Sequence, residues 1–144
     1  MKCKITNKEI KPFIPPIVSG KVIKVYDGDT ITIVSDIPGL KDSTFYKFSI
    51  RLNGIDTPEI RGKTEDEKLI AIKARDDLSN LILGDIVYLK NKKTEKYGRI
   101  LCDIYKDKLH INNYMIEKRY ALPYDGKAKT NPRSWTNYFE KGEI

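Results

Sequence analysis

The chain has 144 residues, which suits one domain built around a single hydrophobic core. Lysine and arginine total 27 against 20 aspartates and glutamates, a formal charge of +7. Such a surface attracts polyanions, nucleic acid first and an acidic membrane surface second, with a merely solvated basic exterior as the bland alternative. Two cysteines, Cys3 and Cys102, exclude a disulfide scaffold, and a single histidine, His110, argues against a His-based metal site or a Ser–His triad. No apolar run suits a signal peptide or a membrane span, so the expectation is a soluble, intracellular protein with no membrane partner, export by another route being the alternative; a monomer is expected.

Residues 1–17 read as an irregular arm, because Pro12, Pro15 and Pro16 cannot join a central ladder. Strands follow at KVIKVY (21–26), ITIV (31–34) and FYKFSIRL (45–52), all rich in β-branched and aromatic residues. The Asp-Gly of YDGDT predicts a tight turn between the first two, and SDIPGLKDS a polar loop before the third. Thr64 followed by Glu67 is a capping box opening a helix, with Ile70, Ala74, Leu78, Leu81 and Ile82 at helical spacing and Gly84 as its stop. DIVYLK (85–90) is a fourth strand, KNKKTEKYG a charged loop and RILCDIY (99–105) a fifth, with His110 at a strand end. NNYMIEKRYA (112–121) reads as a short helix, and the Pro/Gly/Lys-rich residues 124–144 as a loosely ordered tail packing on, or extending from, a domain of residues 18–123. Five short strands with a helix between the third and fourth point to an α+β protein with a small, partly open Greek-key barrel of the OB type. A generic α+β sandwich is the alternative.

The polar residues fall at strand ends. Asp27 and Asp29 flank Gly28, with Asp27 read as a turn residue; Asp56 and Glu59 end the third strand, which also carries Arg51; Arg99 follows Lys96-Tyr97-Gly98. Singly, each reads as a cap or turn former. Together they supply oxygen ligands for a hard divalent cation, a further carboxylate able to take a proton from water, and guanidinium forks that match phosphate oxygens. Phosphoryl transfer needs little more than such positioning and charge neutralisation.

VIKVYDGDTITIV, RLNGIDTPE and EKYGR stand in the same order and at similar spacing as in the staphylococcal nuclease (thermonuclease) family, which the chain resembles from about Gly20 to about Leu122. The resemblance implies the OB-type barrel and a calcium-dependent phosphodiesterase acting on DNA and RNA, with other divalent ions as possible substitutes; a barrel groove, which reads backbone and stacked bases, adds the expectation that single strands are preferred. It implies Asp29 and Asp56 as carboxylate ligands of the ion and Thr57 as a carbonyl ligand. Glu59 would be the general base, and Arg51 and Arg99 would bind the scissile phosphate. Lys96, Tyr97 and Tyr124 are the candidate substrate contacts. On this reading the opposite charges of RLNGIDTPE are organised around a metal and a phosphodiester instead of pairing with each other. The tail lacks the charged amphipathic helix of the best-known secreted member, and the lysines of KNKKTEKYGR, Lys92 and Lys93 among them, are expected to strengthen phosphate binding. Two other readings stand beside this one: a catalytically silent barrel that binds nucleic acid or protein, and a membrane-surface binder resting on charge alone.

Overall fold

The computed structural model describes residues 4–41 and 44–144, so Cys3 and part of the polar loop before the third strand lie outside the described residues. Strands β1 (Ser19–Asp27), β2 (Thr30–Ser35) and β3 (Tyr46–Leu52) form an antiparallel meander. After the two-residue strand β4 (Ile55–Asp56) comes helix α1 (Glu65–Ile82), then β5 (Ile86–Thr94) and β6 (Ile100–Lys106). β5 pairs with β1 and with β6, and β6 runs parallel to β3 through Ile50↔Ile100, Arg51↔Leu101 and Leu52↔Cys102. That parallel pairing closes a five-stranded barrel of the OB type and removes its open edges.

Alternation places Val22, Ile31, Ile33, Ile50, Leu52, Val87, Leu89, Ile100, Cys102 and Ile104 inside the barrel. α1 caps it with Ala74, Leu78 and Ile82, spaced as a helical face requires. Thr64 is its N-cap, its hydroxyl accepting from Glu67 N at 3.0 Å, and Gly84 follows the last turn at a φ of +84°. The capping box is only half made: the Glu67 carboxylate accepts from Glu59 N at 3.2 Å, which tethers the β4–α1 loop to the helix. β5 runs on into the expected charged loop because a bulge at Asn91, φ +55°, absorbs the register shift while its amide donates to Asp103 at 2.8 Å.

His110 ends the short strand β7 (Leu109–His110) and precedes α2 (Ile111–Glu117), which stops at Arg119 in the left-handed region. From α2 the buried Asn112 accepts from Ile104 N at 2.9 Å and donates to Asn53 O at 2.8 Å, fixing the turn after β3 to β6. The arm is pinned where it meets the barrel: Ile17 is fully buried, and Lys92 Nζ donates to Pro15 O at 2.8 Å and Ile17 O at 2.6 Å. Lys92 is thus committed to the fold and does not serve the phosphate-binding role expected from its sequence position.

The tail departs most from the sequence expectation. β8 (Leu122–Pro123) pairs with β4, and α3 (Trp135–Lys141) packs Trp135 and Tyr138 against Ile70 and Leu122. Asp66, in the first turn of α1, holds the start of α3 by accepting from Trp135 N at 2.8 Å, Thr136 N at 3.1 Å and Ser134 Oγ at 3.0 Å. The side chain of Thr136, with that of Ser134 and these backbone donors, keeps the Asp66 carboxyl below its usual range. Asp66→Ala is expected to cost about 0.5–2 kcal/mol at pH 7, as the loss of a helix cap does. Because the folded pKa is the lower one, that contribution is complete above the unfolded-chain value, roughly 3.9, and is lost as pH falls through the folded value. Thermal melts of wild type and variant at neutral pH and near pH 3 check this: a gap at neutral pH should shrink in acid, and coincident melts at pH 7 would remove the anchoring role.

Candidate active site

The β1–β2 turn sets Asp29. A Cβ on Gly28 would lie 2.9 Å from Thr57 Cγ2 and 3.0 Å from Ala74 Cβ, so only glycine lets the turn pack this closely on the β4–α1 loop and on α1. Leu52 N donates to Asp29 O at 2.8 Å, locking the turn to the end of β3. The buried Asp29 carboxylate then accepts from Thr30 Oγ1 at 3.0 Å and from Thr57 N at 3.3 Å.

Arg51 faces this carboxylate from β3, where it pairs with Thr30 across the ladder. Its Nη1 lies 3.1 Å from Asp29 Oδ2 and its Nη2 3.5 Å from Asp56 Oδ1, while Nη1 also donates to Leu52 O and Ile55 O at 3.1 Å each. Within RLNGIDTPE, Arg51 therefore also pairs with Asp56, and at 11% side-chain exposure its guanidinium has little water to replace these acceptors. Asp56 is held by β4, whose partner is Leu122 of β8, and Thr57 is buried beside it. Glu59 sits further out, with 65% of its side chain exposed.

Burial by itself would push the Asp29 carboxyl up, but a hydrogen bond from Asp27, the Arg51 guanidinium and the Thr30 hydroxyl outweigh it and hold Asp29 low. Asp27 is pushed up to about 7 by burial and by its carboxyl–carboxyl hydrogen bond and charge repulsion with Asp29. Burial also raises Asp56, and Lys129 and Arg51 offset this only in part.

Arg99 enters from the other side. The 95–99 turn is tied by Glu95, whose Oε1 accepts from Tyr97 N at 3.0 Å and Arg99 N at 3.1 Å and whose Oε2 meets Arg99 Nη2 at 3.0 Å. Arg99 Nη1 donates to Thr30 Oγ1 at 3.3 Å, bridging to the hydroxyl that also serves Asp29. Among the described residues two of its guanidinium N–H groups are used, which leaves the rest of the fork to meet an anion.

A cleft of about 720 Å³ contains Asp27, Asp29, Arg51, Asp56, Thr57, Glu59 and Arg99 together. Lys96, Tyr97 and Tyr124 line a second, adjoining cleft of about 850 Å³. Tyr97 is 79% exposed with Lys96 Nζ 5.7 Å from its ring centre, and Tyr124 N donates to Gly54 O at 2.8 Å. Three participants escaped the sequence reading. Asp27 is a turn residue, accepting from Asp29 N at 3.2 Å, and also a wall of the cleft. Glu95 had a signal in EKYGR that went unused. Lys129 Nζ lies 3.4 Å from Asp56 Oδ1 and 3.5 Å from Glu59 Oε1, and nothing in its local sequence marks it.

Among the described residues no three side chains of His, Cys, Asp or Glu converge as a ready-made metal cluster. The donor set is instead two buried aspartates, Asp29 and Asp56, beside the Thr57 backbone, all hard oxygens of the kind calcium and magnesium take. Two carboxylates and a backbone carbonyl gathered at one cleft wall fit a hard cation by the chemistry of their donors. No helix among the described residues is long and apolar enough to cross a membrane.

A family model described as "Staphylococcal nuclease homologue" matches residues 49–141. A protein named "Uncharacterized endonuclease" in Escherichia coli is 29% identical over 116 residues, covering 80% of this chain and 66% of that protein. One of the same name in Haemophilus influenzae is 31% identical over 104 residues, 72% of this chain and 51% of that protein. A staphylococcal-like nuclease of Arabidopsis thaliana is 31% identical over 94 residues, 63% of this chain and 27% of that protein. The chain thus spans between 51% and 66% of the length of the two bacterial relatives. Asp29 precedes the region matched by the family model and joins it through the β1–β2 turn. Since that region runs from β3 through α3 and includes Arg51, Asp56, Glu59 and Arg99, the chain belongs to the staphylococcal nuclease family.

Proposed function

We propose that the protein is a calcium-dependent nuclease that hydrolyses phosphodiester bonds of DNA and RNA, preferring single strands and loosened ends. The observation that supports this best is one cleft holding two buried aspartates, an exposed glutamate and two arginines drawn from separate strands and loops. Asp29, Asp56 and the Thr57 carbonyl would hold the ion, with other divalent ions sharing the same preference for oxygen. When bound, the ion supplies positive charge against a phosphate oxygen and orients a water.

The remaining chemistry belongs to the chain. Arg51 and Arg99 donate to non-bridging oxygens of the scissile phosphate, where charge grows as the bond breaks. Glu59 takes a proton from the attacking water, whose oxygen bonds to phosphorus as the bond to the departing sugar oxygen breaks. Lys96, Tyr97 and Tyr124 serve the second cleft as charge and stacking partners. A groove of this kind grips backbone and unstacked bases, which is why stable duplex is the poorer substrate.

The test is incubation of single-stranded DNA, RNA and duplex with the protein in calcium or in chelator. Cleavage is expected in calcium only, fastest on single strands. Undiminished cleavage in excess chelator would rule the mechanism out. Binding without cleavage in calcium would return the chain to a silent nucleic-acid-binding barrel.

A further inference from the structure

Residues 124–134 run beside both clefts between two fixed points. At one end Tyr124 N is bonded to Gly54 O, and at the other Ser134, Trp135 and Thr136 are held by Asp66. Lys129 lies midway. Among the described residues, Arg51, Arg99 and Lys129 are the ones that line both clefts. A strand passing from one cleft to the other would bring a phosphate past all three cations.

Lys129 differs from the lysines that hold the fold. Lys92 spends its ammonium hydrogens on backbone carbonyls at 2.6–2.8 Å, and Lys106 holds Leu81 O and the Asp85 carboxylate at 2.8 Å each. Among the described residues Lys129 meets two carboxylates, Asp56 at 3.4 Å and Glu59 at 3.5 Å, both longer than a good charged hydrogen bond. Its side chain is 48% exposed against 11% for Arg51, so it has more room than Arg51 to change partners. Lys129 and Arg51 also flank the same oxygen, Asp56 Oδ1, which puts the ammonium beside the guanidinium proposed to take the phosphate.

We propose that Lys129 is a third phosphate-contacting cation of this site, exchanging Asp56 and Glu59 for a non-bridging oxygen of the bound phosphodiester. The proposal rests on the nuclease reading for its catalytic consequence, though not for the contact itself. The exchange also uncovers Glu59, so the carboxylate that is to take a proton is released by the arrival of substrate.

The experiment compares Lys129→Met and Lys129→Arg with Lys141→Met, which removes the same charge from the same tail away from the clefts. A labelled single-stranded oligonucleotide is titrated in chelator over a range of salt, and kcat/KM is measured separately in calcium. Lys129→Met should flatten the slope of log affinity against log salt by about 0.7, the value of one single-strand phosphate contact. It should also lower kcat/KM by at least about tenfold. Lys129→Arg should recover most of the binding, and Lys141→Met should leave both readouts unchanged. An unchanged salt slope with a lowered melting temperature would make Lys129 a tail latch and overturn the proposal. Tighter calcium binding with faster turnover in Lys129→Met would overturn it too, making the lysine a blocking cation. If wild type fails to cleave while its salt slope still depends on Lys129, the nuclease reading falls and the phosphate contact stands.

Discussion

Glu59→Gln is expected to lower turnover by about 10²–10⁴, the usual worth of a general base, with little effect on folding. The substitution keeps the shape of the side chain and removes only its ability to take a proton. Glu59 can lose its charge cheaply because its side chain is mostly exposed and meets Lys129 at 3.5 Å, a pair of the kind typically worth about 0–1 kcal/mol. What holds Glu59 in place is its backbone N–H, which donates to Glu67, and the variant leaves that bond intact. Melting temperature and oligonucleotide affinity in chelator should therefore match wild type while kcat collapses. A variant that cuts at near wild-type speed would take Glu59 out of the base role. In that case Asp27, raised to about 7 and lining the same cleft, would be the next carboxylate to test.

Arg99→Lys should melt within a few degrees of wild type yet lose at least about 10²-fold in turnover, the cost of one preorganised donor in the transition state. Lysine keeps the charge but offers a compact ammonium in place of a planar fork, so it cannot give two parallel hydrogen bonds to two phosphate oxygens. The competing account is that Arg99 is only the partner of Glu95, at 3.0 Å with about a third of its side chain exposed. A lysine would satisfy that pair with little loss, since exposed pairs contribute about 0–1 kcal/mol. The Glu95 bonds to Tyr97 N and Arg99 N survive the substitution, so the turn itself keeps its shape. Arg51 is the poorer probe, because its Nη1 also serves two backbone carbonyls and Asp29, and lysine there would leave buried acceptors unsatisfied. Near-normal turnover in a well-folded Arg99→Lys variant would sink its role as a phosphate clamp.

The barrel was legible because its strands alternate cleanly and its helix repeats Ile70, Ala74, Leu78 and Ile82 at the right spacing, between a Thr64 cap and a Gly84 stop. The tail was not. Its Pro, Gly and Lys content at 123–133 suggests disorder, and that masked a sound helix signal just beyond: Ser134 as cap, Trp135, Tyr138 and Phe139 on one face, and Gly142 at φ +75° as the stop. The individual roles of Asp29, Asp56 and Arg51 were suggested by motif, yet their mutual ion pairing was not, because it depends on β3, β4 and the β1–β2 turn meeting in space. Lys92 and Lys129 show the same limit from opposite sides. One sits in a basic run and holds the arm; the other sits in an unremarkable tail and reaches the site. No local pattern distinguishes a lysine aimed at backbone carbonyls from one aimed at carboxylates 70 or so residues away in the chain.

The pairing of Asp56 with Leu122 has a consequence for how the protein is made. Asp29, Arg51, Asp56 and Glu59 all leave the ribosome early, but β4 has no partner until β8 follows, and the barrel cannot close until β6 reaches β3. Such long-range closures form late, since the loop entropy is lost before the contacts are gained. A chain made only as far as α1 therefore carries Asp27, Asp29, Asp56 and Glu59 without the geometry that makes them act together. This order of assembly keeps the site incomplete until β8 has been synthesised and has paired with β4.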